Sequence, residues 1–113
     1  MEPILDEATA RFCGLSQHDR ARFLALLAHN LTVAARTYYE FQPPGITDPP
    51  RFREFNELLH CVTSYLGHIL GGDEDIGWAA VVAQTVLEPD DARVAHYARQ
   101  AWMQAERSVR DVS

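Results

Sequence analysis

Apolar residues recur along this chain at helical spacing, and proline and glycine interrupt them at only a few places. The interruptions fall at Gly14, at 43–45, at 71–72 and at Pro89. Because proline lacks a backbone donor and glycine favours helix ends, these positions separate one helix from the next. No alternating apolar run is bounded by a hairpin turn, so strands are not indicated. The pattern predicts an all-α protein.

Capping signals predict where the helices begin and end. The predicted helices span residues 4–13, 16–40, 49–70, 73–88 and 90–110. Asp48 is the expected N-cap of the third helix, acidic residues open the fourth and fifth, and residues 41–47 form a loop. The short connections after Leu70 and Glu88 reverse the chain, which predicts an antiparallel bundle of four main helices plus a short N-terminal helix. At this length, residues 1–113 form a single domain.

The second helix carries apolar residues around much of its circumference. One stripe comprises Phe23, Leu24, Leu27, Leu31, Ala34, Tyr38 and Phe41. Leu26 and Val33 widen this stripe well past a half-buried face, so we expect the helix to touch more than one neighbour.

The third and fifth helices each show a single apolar face. In the third, the predicted core arc is Phe52, Phe55, Leu59, Val62, Leu66, Ile69 and Leu70. In the fifth, the stripe is Val94, Ala98, Ala101, Ala105 and Val109, flanked by Tyr97 and Trp102. Such small residues allow a neighbouring helix to approach closely.

The fourth helix has the least polar surface of all. A domain this small has few helices with which to surround another, so we expect one side of the helix to be an interface. The candidate interface residues are Ile76, Trp78, Val81 and Val82. The expected partner is a second copy of the chain, with a homodimer favoured, or another protein.

The charge balance argues against several classes of function. The 113 residues carry a formal net charge of −6, which opposes a phosphate backbone and disfavours a nucleic-acid partner. The longest apolar stretches are too short for a bilayer span, so no membrane partner is expected. Cys13 and Cys61 lack metal-ligand spacing and are expected to be small buried hydrophobes. We expect a cytoplasmic protein without a cofactor.

Polar residues on the second and third helices are the candidates for chemistry. Glu57 and His60 have the Glu-x-x-His spacing of di-iron bundles, but no second pair occurs, so no metal site is predicted. Asn30 lies on the apolar side of the second helix and needs a partner if it is buried. Asn56 and His60 are expected to supply one, which would form a polar seam or a ligand site with Glu57.

The segment from Arg53 to His60 resembles the arginine-to-histidine signature of the HEPN family, small all-α domains that include RNA-cleaving toxins. The resemblance covers eight residues, of which Arg53 and His60 are diagnostic. It implies that Arg53 stabilises a phosphate and that His60 serves in acid–base chemistry at the RNA 2′-hydroxyl. Glu54 departs from the pattern, because the family usually places Asn, Asp or His there.

The leading hypothesis is a non-enzymatic helical protein that works by contact with itself or with another protein, as an adaptor, regulator or immunity-type factor. The alternative is a HEPN-like ribonuclease, or a metal- or ligand-binding bundle, centred on Arg53, Glu57 and His60. A third possibility is binding of a small apolar molecule between helices. Its candidate residues are Tyr38, Tyr39, Tyr65, Trp78 and Trp102.

Overall fold

A computed structural model describes residues 3–40, 49–72 and 77–112, with side chains at 6–40, 51–72 and 77–111. Five helices occupy these residues: α1 (Pro3–Cys13), α2 (Gln17–Glu40), α3 (Pro49–Leu70), α4 (Gly77–Leu87) and α5 (Ala92–Val112). No strand occurs within these ranges. The predicted all-α fold is confirmed. The predicted loop at 41–47, the Asp48 cap, the acidic opening at 73–75 and Ile76 lie outside the described residues.

The helix ends follow from the capping residues that the sequence provides. Ser16 Oγ accepts a hydrogen bond from the Asp19 backbone amide at 3.1 Å, which satisfies a free donor at the start of α2. Asp91 Oδ1 does the same for two amides at the start of α5, with N···O distances of 2.8 and 3.2 Å. After α3, Gly72 has a φ of 91° and donates its amide hydrogen to the carbonyl of Ile69. A residue with a side chain would be strained there.

Helix α2 runs antiparallel to α3. Near its start, Gln17 Nε2 donates to the carbonyl of Ile69 at the end of α3, at 3.3 Å. Near its end, the rings of Tyr39 and Phe52 pack edge to face, with centroids 6.1 Å apart. The opposite ends of the two helices therefore meet, as the predicted antiparallel bundle requires.

Helix α5 packs antiparallel along the other side of α2. Phe23 contacts Trp102 with ring centroids 4.8 Å apart, and Tyr38 contacts Tyr97 at 6.0 Å. The rest of the buried surface of α5 is made mainly of small side chains. The five predicted stripe residues, Val94, Ala98, Ala101, Ala105 and Val109, are all buried. Their small size allows α2 and α5 to pack closely.

The core face of α3 is rotated from the predicted arc. Leu58 and Tyr65 are buried, whereas Leu59 and Leu66 are only half-buried. Phe52 and Leu70, which we expected in the core, are exposed. The reason is that α3 packs against α2 on one side and α4 on another, so its buried surface follows two neighbours rather than one apolar arc.

Helix α4 lies against α3, α5 and α1, across the bundle from α2. A polar cluster near its end joins the starts of α3 and α5. The carboxylate of Glu54 accepts a hydrogen bond from the Asp91 backbone amide at 3.2 Å. Arg51 Nε lies 2.9 Å from Asp91 Oδ2. Asp91, which caps α5, is thus also bonded to α3. These bonds fix how the starts of the two helices align along the bundle.

Leu27, at the centre of α2, is fully buried, whereas Leu70 is 71% exposed. We predict that Leu27→Ala lowers the free energy of unfolding by about 2–5 kcal/mol, because it removes buried methyl groups and leaves a cavity. Leu70→Ala is the matched control and should change it by less than about 0.5 kcal/mol. Urea unfolding followed by circular dichroism measures both, and equal losses would contradict the assigned core.

Candidate functional site

The outward face of α4 is an uncharged surface that exposes two apolar side chains. No residue of the eleven in this helix is charged, although 23% of the chain is. Trp78 is 53% exposed and Val81 is 47% exposed, and the other exposed positions are Gly77, Ala80 and Gln84. We call these five residues the α4 face. It presents an indole and a valine to solvent, and none of the eleven residues of α4 itself adds a charge there.

The predicted interface is only partly exposed. Trp78 and Val81 lie on the α4 face, but Val82 is 3% exposed and belongs to the core between the helices. Val82 is therefore not accessible to a partner. The apolar residues of α4 divide into two sides because the helix packs on α1, α3 and α5 along its inner surface. Ile76 lies outside the described residues.

Two other exposed apolar side chains, Val33 and Met103, have charged or ionisable neighbours. On α2, Val33 lies one turn from His29 and Arg36; on α5, Met103 lies one turn from Arg99 and Arg107. Single exposed apolar residues of this kind are normal on protein surfaces. The α4 face differs because its two exposed apolar side chains, three residues apart, lie side by side on the helix.

The structure does not bring the predicted polar seam together. Asn30 Nδ2 donates to the carbonyl of Ala101 on α5, at 3.2 Å. Asn56, Glu57 and His60 are exposed on α3 instead. No hydrogen bond joins Asn30 to any of these three side chains. Asn30 therefore joins α2 to α5 by a hydrogen bond. The polar residues of α3 remain exposed to solvent.

A shallow groove of about 270 Å³ runs beside Asn30 between α2 and α5. Thr37, two turns further along α2, also lines it. Tyr97 and Gln104 form the opposite wall. Asn30 and Thr37 therefore border a surface groove and not a closed core.

Cys61 and Thr85 form a polar contact between α3 and α4. The thiol of Cys61 hydrogen-bonds the Thr85 side chain, and the Thr85 hydroxyl also donates to the carbonyl of Val81 at 2.7 Å. Burial raises the pKa of the Cys61 thiol, and the bond to Thr85 opposes this shift only in part. The thiol stays protonated near neutral pH, which makes it a poor nucleophile.

A second cleft, of about 500 Å³, opens where α1 meets the start of α2 and the end of α5. Phe12, Phe23 and Trp102 contribute aromatic walls, and Arg11 and Glu106 stand at its edge. Of the five aromatic candidates for binding a small apolar molecule, only Trp102 lines this cleft. The sequence pattern of α5 cannot show that the end of α1 lies opposite Trp102.

The described residues contain no arrangement suited to a metal ion or a bilayer. No three His, Cys, Asp or Glu side chains among them are grouped so that they could hold a metal. None of the helices in the described ranges combines the length and apolarity needed to span a membrane. Glu57 and His60 share a face of α3 without a third ligand nearby.

Arg53 and His60, the residues of the HEPN resemblance, are both exposed on α3. They are seven residues apart, which places them two helical turns apart on one side of the helix. Comparison of the chain with protein-family models, with curated proteins and with solved structures found no match. The nuclease role of these two residues stays a prediction.

We predict that Asn30→Ala and Asn56→Ala have different effects on stability. Both gain about 0.5 kcal/mol of helix propensity. Only Asn30→Ala also loses an interhelical hydrogen bond, worth about 0.5–1.5 kcal/mol. In urea titrations the Asn30 variant should therefore be about 1 kcal/mol less stable than the Asn56 variant. The same free energy for both would mean that Asn30 does not join α2 to α5.

Proposed function

We propose that this protein acts through protein–protein contact as a small homodimeric adaptor, regulator or immunity-type factor, and that the α4 face forms the dimer. The observation that carries the proposal is the pair of exposed side chains, Trp78 and Val81, on a helix that has no charged residue. Tryptophan buries more apolar area than other side chains and is enriched among residues that dominate binding energy.

The shape of the α4 face favours a second copy as the partner. The face combines one large side chain, Trp78, with the small positions Gly77 and Ala80. In a twofold dimer each residue meets the partner surface in a reciprocal way. The indole of one chain can then cover the small residues of the other, and Gln84 at the edge can supply a hydrogen bond.

Charge supports the same partner. Two copies that each carry −6 repel one another wherever acidic surfaces meet. No residue of Gly77–Leu87 is charged, so two copies can meet along α4 without burying an ionised side chain of this helix. We place this function in the cytoplasm, because Cys13 and Cys61 are both free thiols, as is usual in a reducing compartment.

The proposed dimer is weak and reversible. A helix of eleven residues is about 16 Å long, so the surface that it can bury falls at the low end for specific complexes. We therefore expect a dissociation constant in the micromolar range, on the order of 10 to 100 µM. At such an affinity the fraction of dimer varies with protein concentration, which suits a regulator.

Analytical ultracentrifugation of the whole chain tests the proposal. From about 1 to about 300 µM, the average mass should rise from 12.8 kDa towards twice that value. Val81→Asp should keep the protein monomeric across this range, because a dimer would bury two uncompensated carboxylates. The variant should still fold, because Val81 is 47% exposed.

Val33→Asp is the matched control. Val33 is also a helical valine of similar exposure, 44%, but it lies on α2 and away from the α4 face. This variant should dimerise like the wild type. A wild type that stays monomeric at the highest concentration would overturn the proposal. Equal loss of dimer in both variants would also overturn it, since the effect would then come from added charge alone.

A further inference from the structure

The cleft between α1, α2 and α5 has the composition of a binding site for a small amphipathic molecule. Its apolar walls come from Phe12, Leu15, Phe23, Trp102 and Val109. Its volume of about 500 Å³ falls within the usual range of ligand pockets. The aromatic rings already pack on one another: Phe12 and Phe23 are tilted with centroids 5.6 Å apart, and Phe23 and Trp102 pack edge to face at 4.8 Å. A ligand ring could extend this arrangement.

Trp102, which lines this cleft, has a buried hydrogen-bond donor that is left unsatisfied in the part of the chain that the structure describes. The side chain is 2% exposed, and its indole Nε1 is buried without a hydrogen-bond partner within the described ranges. A buried donor without an acceptor costs about 1–3 kcal/mol. Indole N–H groups that are buried usually find a partner. A ligand that carries an acceptor into the cleft would supply the missing one.

Arg11, Asp19 and Glu106, which line the cleft, each have an ion-pair partner, whereas Arg110 has none within the described ranges. Arg11 donates two hydrogen bonds to the carboxylate of Glu106, at 2.6 and 3.1 Å. This bond is the main cause that raises the pKa of Arg11. Asp19 is paired with Arg22 at 3.0 Å.

Arg110 also lines the cleft, and it is exposed and makes no ion pair with any residue that the structure describes. Its guanidinium is therefore a charge at this edge that no side chain in the described ranges pairs with. The start of α2, at Ser16, borders the same cleft, and the positive end of a helix dipole also favours an anion. Both features point to a negatively charged group on the ligand.

We propose that this cleft binds a small aromatic carboxylate. The ring packs among Phe12, Phe23 and Trp102, the carboxylate pairs with Arg110, and an oxygen of the ligand accepts the Trp102 indole hydrogen. Because Nε1 has no exposed surface, the side chains that cover it must move to let the ligand oxygen reach it. This site is separate from the α4 face, so it goes beyond dimerisation.

The two tryptophans allow a direct test by nuclear magnetic resonance. The ¹⁵N-labelled chain gives two indole N–H signals, and Trp78→Phe assigns the one from Trp102. 4-Phenylbutyrate is the probe, with 4-phenylbutanamide as its neutral analogue and butyrate as the analogue without a ring. We expect 4-phenylbutyrate to shift the Trp102 signal downfield in a saturable way and to leave Trp78 unmoved. Both analogues should bind more weakly.

Variants of α5 separate a specific carboxylate site from general attraction to arginine. Arg110→Gln should weaken binding of 4-phenylbutyrate about fivefold, the upper end for an exposed ion pair. Arg107→Gln is the matched control, because Arg107 is exposed on the same helix but does not line the cleft. It should leave the affinity unchanged.

The proposal fails if the Trp102 signal does not move, or if the Trp78 signal moves in parallel, which would indicate nonspecific apolar binding at the α4 face. It also fails if Arg107→Gln weakens binding as much as Arg110→Gln does. Repeating the titration in Val81→Asp keeps the result independent of dimerisation, since that variant should bind the probe like the wild type.

Discussion

The structure depends on the packing of α2 between α3 and α5. Phe23, Leu24, Leu27 and Leu31 are buried in succession along α2, so this helix cannot be stable as a surface helix. Alanines on α5 allow one neighbour to approach closely, and α3 covers the other side. Burial of this apolar surface is the main free-energy gain available to a chain of this size. Capping bonds and the Asn30 bond define how the helices align but add less.

The position of α2 also determines what remains at the surface. Helix α4 is less than half as long as α2 and lies across the bundle from it. It fills the core with Val82 and Val86 and turns Trp78 and Val81 to solvent. The cleft at the other candidate site exists because α1 meets the ends of two longer helices and does not fill the space between them. Both proposed sites are therefore consequences of fitting short helices to long ones.

The sequence predicts the helices and their ends well, because caps such as Ser16, Asp91 and Gly72 act locally. It also predicts the buried stripe of α5, because the spacing of small apolar residues along one helix is likewise a local pattern. Contacts between helices are harder to predict from the sequence. A single helix pattern cannot tell which neighbour α3 faces, so Leu58 was missed and Phe52 was misplaced. Likewise, Asn30 needed a partner, but its spacing could not show that this partner is a backbone carbonyl on α5 rather than Asn56.

Amide hydrogen exchange, measured residue by residue at a concentration where the chain is monomeric, tests the central role of α2 most directly. If α2 and α5 form the stable centre, their amides around Leu27 and Ala101 should exchange slowest and only through global unfolding. Amides of α4 should exchange faster, through partial opening. Slowest exchange in α4, with α2 opening first, would contradict the account.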